Sequence, residues 1–166
     1  MAELTPSERL QPSLLDRLTD HTPGKQLESR EDRVLTTAEL RDAVLRDLGW
    51  LLNTANKERT GEFEGFPNVQ TSVLNFGVAS MTGLSDTAFG QGGLSQAVRA
   101  AIHRFEPRVL PDALKVGEIR GSRGTHNVLA VEIEGEMWAQ PVPERLFVRT
   151  ELDLETGDCS VEATRG

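Results

Sequence analysis

Apolar residues recur at helical intervals in the first two thirds of this sequence and at every second position from residue 112 onward. In NVLAVEIEG, Leu129, Val131 and Ile133 alternate with Glu132 and Glu134. In RLFVRTELDLETGDCSVEA, Leu146, Val148, Leu152 and Leu154 alternate with Arg149, Glu151 and Asp153. After a turn at Thr156, Gly157 and Asp158 the pattern returns through Cys159, Val161 and Ala163. Successive side chains of a strand point to opposite faces, so this spacing predicts antiparallel strands with one dry face. The earlier run LKVGEI predicts a further strand, with Gly117 as a bulge or weak point.

Upstream, TTAELRDAVLRDLGWLLNT predicts a helix that Thr36 caps and Glu39, three residues on, closes into a capping box. Leu40, Val44, Leu48 and Leu51 form its apolar stripe, and Asp42 and Arg46 are an expected i,i+4 pair on the wet face. LSQAVRAAIHRFEP predicts a second helix with Leu94, Val98, Ala101, Ile102 and Phe105 on one stripe and Arg99, His103 and Arg104 mostly off it. Pro107 ends it, because proline clashes with the preceding turn. SERLQPSLLDRL predicts a helix of one or two turns with Leu14, Leu15 and Leu18 on one side. Helices followed by a run of antiparallel strands give an α+β fold, with two main helices packed on one face of a small, mainly antiparallel sheet. The expected organisation is a short helix and flexible connector over 1–35 and a single α+β domain over 36–166.

Charge narrows the function. The formal net charge is −8, and the last 36 residues hold nine acidic side chains against three arginines, so a nucleic-acid backbone is repelled there. The lone Cys159 cannot form an internal disulfide, which fits a reducing compartment such as the cytoplasm. The first residues, MAELTPSERL, lack the cationic start and apolar core of a signal peptide, and no run is apolar enough to insert in a membrane. Residues 65–98 hold one charged side chain, Asp86, where the average of 27% calls for roughly nine. Such a stretch is either a glycine-rich layer folded under its own domain or a surface covered by a partner.

Catalytic signatures are weak. His21, His103 and His126 are scattered, without a nucleophile motif, and no clustered ligands call for a metal or cofactor. GQGGLSQ has no lysine after its glycines, so it is no phosphate loop. Glu106 is the most prominent carboxylate, but Arg104 and Arg108 flank it and favour the charged form over the protonated one a general acid needs. The Glu106-Pro107-Arg108 corner, with side chains expected to point outward, reads in two ways. It is either an internal pair bracing the turn or a fixed anion and fork-shaped cation offered to a second chain.

Five strings in order, SLLDRL, VLRDLGWLLNT, SVLNFGV, RFEPRV and VRTELDLETG, spanning about Ser13 to Val161, resemble the TssE family of type VI secretion baseplate subunits, related to the lysozyme-like wedge proteins of contractile phage tails. The resemblance implies a non-catalytic structural subunit in the cytoplasm. It implies binding to TssF and TssG, with TssK nearby, joining the baseplate wedge to the TssB and TssC sheath and promoting sheath assembly. It also implies that Glu106, Pro107 and Arg108 make partner contacts. The alternative is a peptidoglycan-cleaving enzyme, as the lysozyme-like label suggests.

Overall fold

The computed structural model describes residues 12–20, 23–24, 34–57, 61–79, 92–119, 128–139, 142–153 and 156–164. His21, His126, Leu154, residues 80–91 and most of the expected connector lie outside the described residues.

Two helices carry the helical half of the core. Helix α2, Thr37–Leu52, begins at the expected capping box: Thr36 Oγ1 accepts from Glu39 N at 3.2 Å, and Glu39 Oε2 accepts from Thr36 N at 2.7 Å. Its stripe of Leu40, Val44, Leu48 and Leu51 is buried together with Ala43. Helix α4, Gly93–Phe105, buries Leu94, Val98, Ala101 and Ile102. Its N-cap Gly92 has no side chain to offer, and Glu118 supplies the missing acceptor by taking the Ser95 N–H at 3.0 Å. Before them lies α1, Leu14–Leu18, capped by Ser13, with no buried residue.

The alternating half forms one antiparallel sheet in chain order, β3 (Lys115–Ile119), β4 (Val128–Met137), β5 (Glu144–Asp153) and β6 (Cys159–Ala163). Val131 and Ile133 of β4 are buried with Leu146, Val148 and Leu152 of β5, while Glu132, Glu134, Arg149 and Glu151 are exposed. Thr150 is the polar exception on the dry face, and it is satisfied by donating Oγ1–H to the Val131 carbonyl at 3.1 Å. Helix α2 packs toward β6 and α4 toward β3, so both cover the same face. Gly117 is neither bulge nor break. It pairs in register with Glu132, between Val116↔Ile133 and Glu118↔Val131, because the ladder needs only its backbone there.

Between the helices runs an irregular segment the periodicities do not foresee. It holds a two-residue strand β1 (Ala55–Asn56), a short helix α3 (Pro67–Gln70), a 3-10 turn at Val73–Asn75, and a strand β2 (Val78–Ala79) parallel to β1. Gly77 makes that pairing possible. At φ +116° its Cα lies so close to Thr54 that an added Cβ would stand 2.1 Å from the Thr54 carbonyl oxygen. Asn75 is buried and works as a peg, accepting from Lys57 N at 2.9 Å and donating to the Gln70 carbonyl at 3.0 Å.

Candidate functional site

The Glu-Pro-Arg corner joins α4 to the sheet. Glu106 caps α4, its N–H still bonded to the Ile102 carbonyl at 2.9 Å, and its own carbonyl accepts from Val109 N at 3.2 Å. Pro107 thus occupies the second position of a tight turn, where a fixed φ is an advantage and no N–H is needed. The next residues are stitched to the end of β4: Trp138 N donates to the Arg108 carbonyl at 2.7 Å, and Leu110 N to the Glu136 carbonyl at 2.8 Å.

The expectation that both charged side chains point outward is overturned for Glu106, which is 3% exposed. Its carboxylate folds back into the turn it begins. Oε1 accepts the Arg108 N–H at 3.1 Å and Arg108 Nε at 2.7 Å, and Oε2 accepts Nη2 at 2.5 Å. A planar guanidinium fits a carboxylate through two parallel bonds, so the pair is held in one geometry. Pro107 remains exposed, and the Arg108 side chain keeps 22% of its surface.

The pair opens into a chain of alternating charge. Arg108 Nη2 also donates to Asp47 Oδ2 on α2, and Asp47 Oδ1 accepts Arg46 Nε at 2.9 Å. Arg46 Nη1 reaches Asp16 Oδ1 on α1, whose other oxygen accepts Ser13 Oγ–H at 2.6 Å. Arg46 therefore pairs with Asp16 and Asp47 rather than with the expected Asp42, because its fork turns toward α1 and lies 5.0 Å from the Trp50 ring centre. Electrostatics follow the chain. Burial alone would lower the Arg108 guanidinium, but its bonds and proximity to Glu106, and then to Asp47, outweigh this and hold it above its ordinary value. The hydrogen bond from Arg46 holds Asp16 below the usual carboxylate value. Arg108 Nη1 is buried without a hydrogen-bond partner among the described residues.

Asp47, Arg46, Asp16 and Ser13 are site residues that sequence reasoning missed. The available signal was positional: Leu40, Val44, Asp47 and Leu51 share helical spacing, which puts an acid on the buried stripe, where it needs a partner.

Other expected features fall elsewhere. His103 is exposed on α4. Of the charge-poor stretch, the described part presents Phe66, Val73 and Leu74 to solvent at 62%, 78% and 70% exposure. Among the described residues β6 is an edge strand of the sheet, covered at its start by Asn53. That side-chain amide pairs with both main-chain groups of Cys159, donating to its carbonyl at 2.8 Å and accepting from its N–H at 2.9 Å. By the alternation of an antiparallel ladder, Val161 and Ala163 turn their main-chain groups to the same outer side. Among the described residues no helix is long and apolar enough to cross a membrane.

No curated protein and no solved structure matches the chain at a significant level. Residues 38–142, from the start of α2 through the corner to the end of β4 and beyond, do match the family described as baseplate wedge protein gp25. The chain belongs to that wedge family, the one that also contains TssE.

Proposed function

We propose that this chain serves as a TssE-type subunit of a type VI secretion baseplate. It binds TssF and TssG, with TssK nearby, connects the wedge to the TssB/TssC sheath and promotes sheath assembly in the cytoplasm. The family match over 38–142 is the observation that carries this reading, since it makes the chain a component of a phage-tail-like baseplate. Two structural features support the finer role. The exposed Pro107 and the open side of Arg108 form a rigid projection behind which the Glu106 carboxylate is locked, so a partner meets the outer part of the corner while Glu106 positions it. The outer edge of β6 beyond Asn53 can take a strand from a neighbouring subunit.

The chain acts without catalysis on this reading. A retaining or inverting glycosidase needs an acid free to reach the scissile oxygen, whereas Glu106 is buried and engaged with Arg108 at both oxygens. The test is a cell carrying a fluorescent sheath subunit. Removing this chain should abolish sheath assembly, the wild-type gene should restore it, and Ala163→Pro should restore it poorly, because proline blocks strand addition at an outward N–H without breaking a ladder bond. Normal sheaths without the chain would refute the reading. Peptidoglycan cleavage by the purified chain, lost in Glu106→Gln, would favour the enzymatic alternative.

A further inference from the structure

From the geometry of α4 we infer a further docking surface: its outer face, from Gln96 toward the Glu-Pro-Arg corner, receives an acidic, amphipathic protein segment. The inference rests on the baseplate reading, because it supplies the partner chemistry of a subunit already taken to work by assembly.

Helix α4 contains no acidic residue, in a chain whose formal net charge is −8. Its exposed side carries Gln96, Arg99, Ala100, His103 and Arg104, and the same stripe runs on to the exposed Pro107. These five helix residues line a groove of about 390 Å³, with the small Ala100 between the cations. Arg99 and His103 make no ion pair among the described residues. The helix dipole accounts for a cation in the last turn, where Arg104 lies, but its effect fades within one turn and leaves Arg99 unexplained.

Arg104 turns the groove toward an uncharged shelf. Its Nη1 donates to the Gln70 carbonyl at 3.2 Å, and its guanidinium lies 5.9 Å from the Phe105 ring centre, itself packed edge-on against Phe76. Val73 and Leu74, three and four residues past Gln70, are bare. A second hollow of about 140 Å³ beside them is walled by Lys57, Gln70, Thr71, Asn75 and Arg104 among others, and among the described residues Glu64 is the only acid in the walls of either. A helix face with an unpaired Arg99, whose Arg104 bonds the segment that carries the bare Val73 and Leu74, selects a partner that brings carboxylates and aliphatic groups together. A nucleic acid brings no aliphatic groups, and it must also approach an acidic protein. The cations from Arg99 to Arg104 cover only about 7.5 Å of helix axis, the span of a short peptide contact.

The full chain is titrated into a fluorescein-labelled peptide in which glutamates and leucines alternate at helical spacing, and anisotropy is read at low and high salt. Arms with an all-glutamate peptide, a short DNA duplex and anionic phospholipid vesicles separate polyanion binding from recognition of a protein segment. The Glu-Leu peptide should bind best. Arg99→Glu/Arg104→Glu should weaken it about tenfold or more, high salt should do the same, and Arg145→Glu on β5 should not. Arg99→Glu alone, which breaks no hydrogen bond or ion pair among the described residues, gives a smaller loss and guards against a folding defect in the pair. Equal affinity for the double variant overturns the inference, as does DNA or vesicle binding at least as tight as the peptide's. In cells, a folded double variant that builds sheaths normally overturns this surface and leaves the baseplate reading standing. Sheaths that form without the chain remove both.

Discussion

Removing Arg108 should damage this protein more than removing Glu106, although the two form one pair. In Arg108→Ala the carboxylate of Glu106 loses its bonds to Nε and Nη2 and keeps only the backbone N–H of residue 108, in a site where its side chain is 4% exposed. An uncompensated buried charge of this kind costs about 3–5 kcal/mol. Glu106→Ala leaves Arg108 with Asp47 as a partner and with 22% of its side chain in contact with solvent, so the loss should be about 1–3 kcal/mol. For a chain of this size each kcal/mol lowers the melting temperature by about 2–4 °C, which places Arg108→Ala about 6–20 °C below wild type. Thermal melting followed by far-UV circular dichroism measures both variants. An Arg108→Ala melting point within about 1 °C of wild type would show that the pair behaves as a solvated surface pair and would refute the reasoning.

Three further outcomes follow from the same contacts. Arg46→Ala should release Asp16, and α1 with it, from α2, so that amides of residues 14–18 exchange faster while those of α2 are unchanged; equal exchange would mean that the ion pair does not hold α1. Asp16 is held below its ordinary value first by Arg46, and Glu39 below its own first by the Thr36 N–H, so their stabilisation is complete above the unfolded values of 3.8 and 4.5 and is lost as pH falls through the depressed folded values. Urea midpoints should therefore fall below about pH 4.5, and less in a Glu39→Gln/Asp16→Asn variant. Burial pushes the Cys159 thiol up to about 11, against a weaker opposing bond from Thr150, so its reaction with a disulfide reagent at pH 8 should run about a hundredfold slower than that of a free thiol and recover in urea.

The regular elements were legible because their apolar spacing and their buried faces coincide. The capping box at Thr36 and Glu39 and the alternation of β4 and β5 are local, and local rules suffice for them. The segment between α2 and α4 was not legible, since β1 and β2 are two residues each and exist only because Gly77 lets two distant stretches touch. The corner was half legible. Glu106, Pro107 and Arg108 stand out in the sequence, and an internal pair was one of the two readings they allowed. The burial of Glu106 depends on Asp47, some sixty residues earlier, and on the end of β4, about thirty residues later, and no local rule reports either. The pairing of Arg46 with Asp42 failed for the same reason: helical spacing sees one helix, while the guanidinium also had Asp16 within reach.

A buried ion pair is a poor device for net stability, because well-packed apolar residues of similar size usually do as well or better. What Glu106 and Arg108 supply beyond stability is position. They fix the turn that leads from α4 to β3, hold Pro107 at the surface, and through Asp47, Arg46 and Asp16 keep α1 against α2 with Leu14 and Leu18 bare at 73% and 74% exposure. A double substitution separates the two contributions. Glu106→Leu/Arg108→Met removes both charges together and leaves no orphaned carboxylate, so its melting point should lie within about 4 °C of wild type, a cost of about 1 kcal/mol or less. The turn would keep its backbone bonds to Val109 and Trp138 but lose the fork that orients residue 108 and its link to Asp47. If the corner works by presenting a rigid surface, this stable variant should fail to restore sheath assembly in cells lacking the chain. If it restores assembly fully, the charges serve folding alone, and the partner-contact role of the Glu-Pro-Arg corner falls.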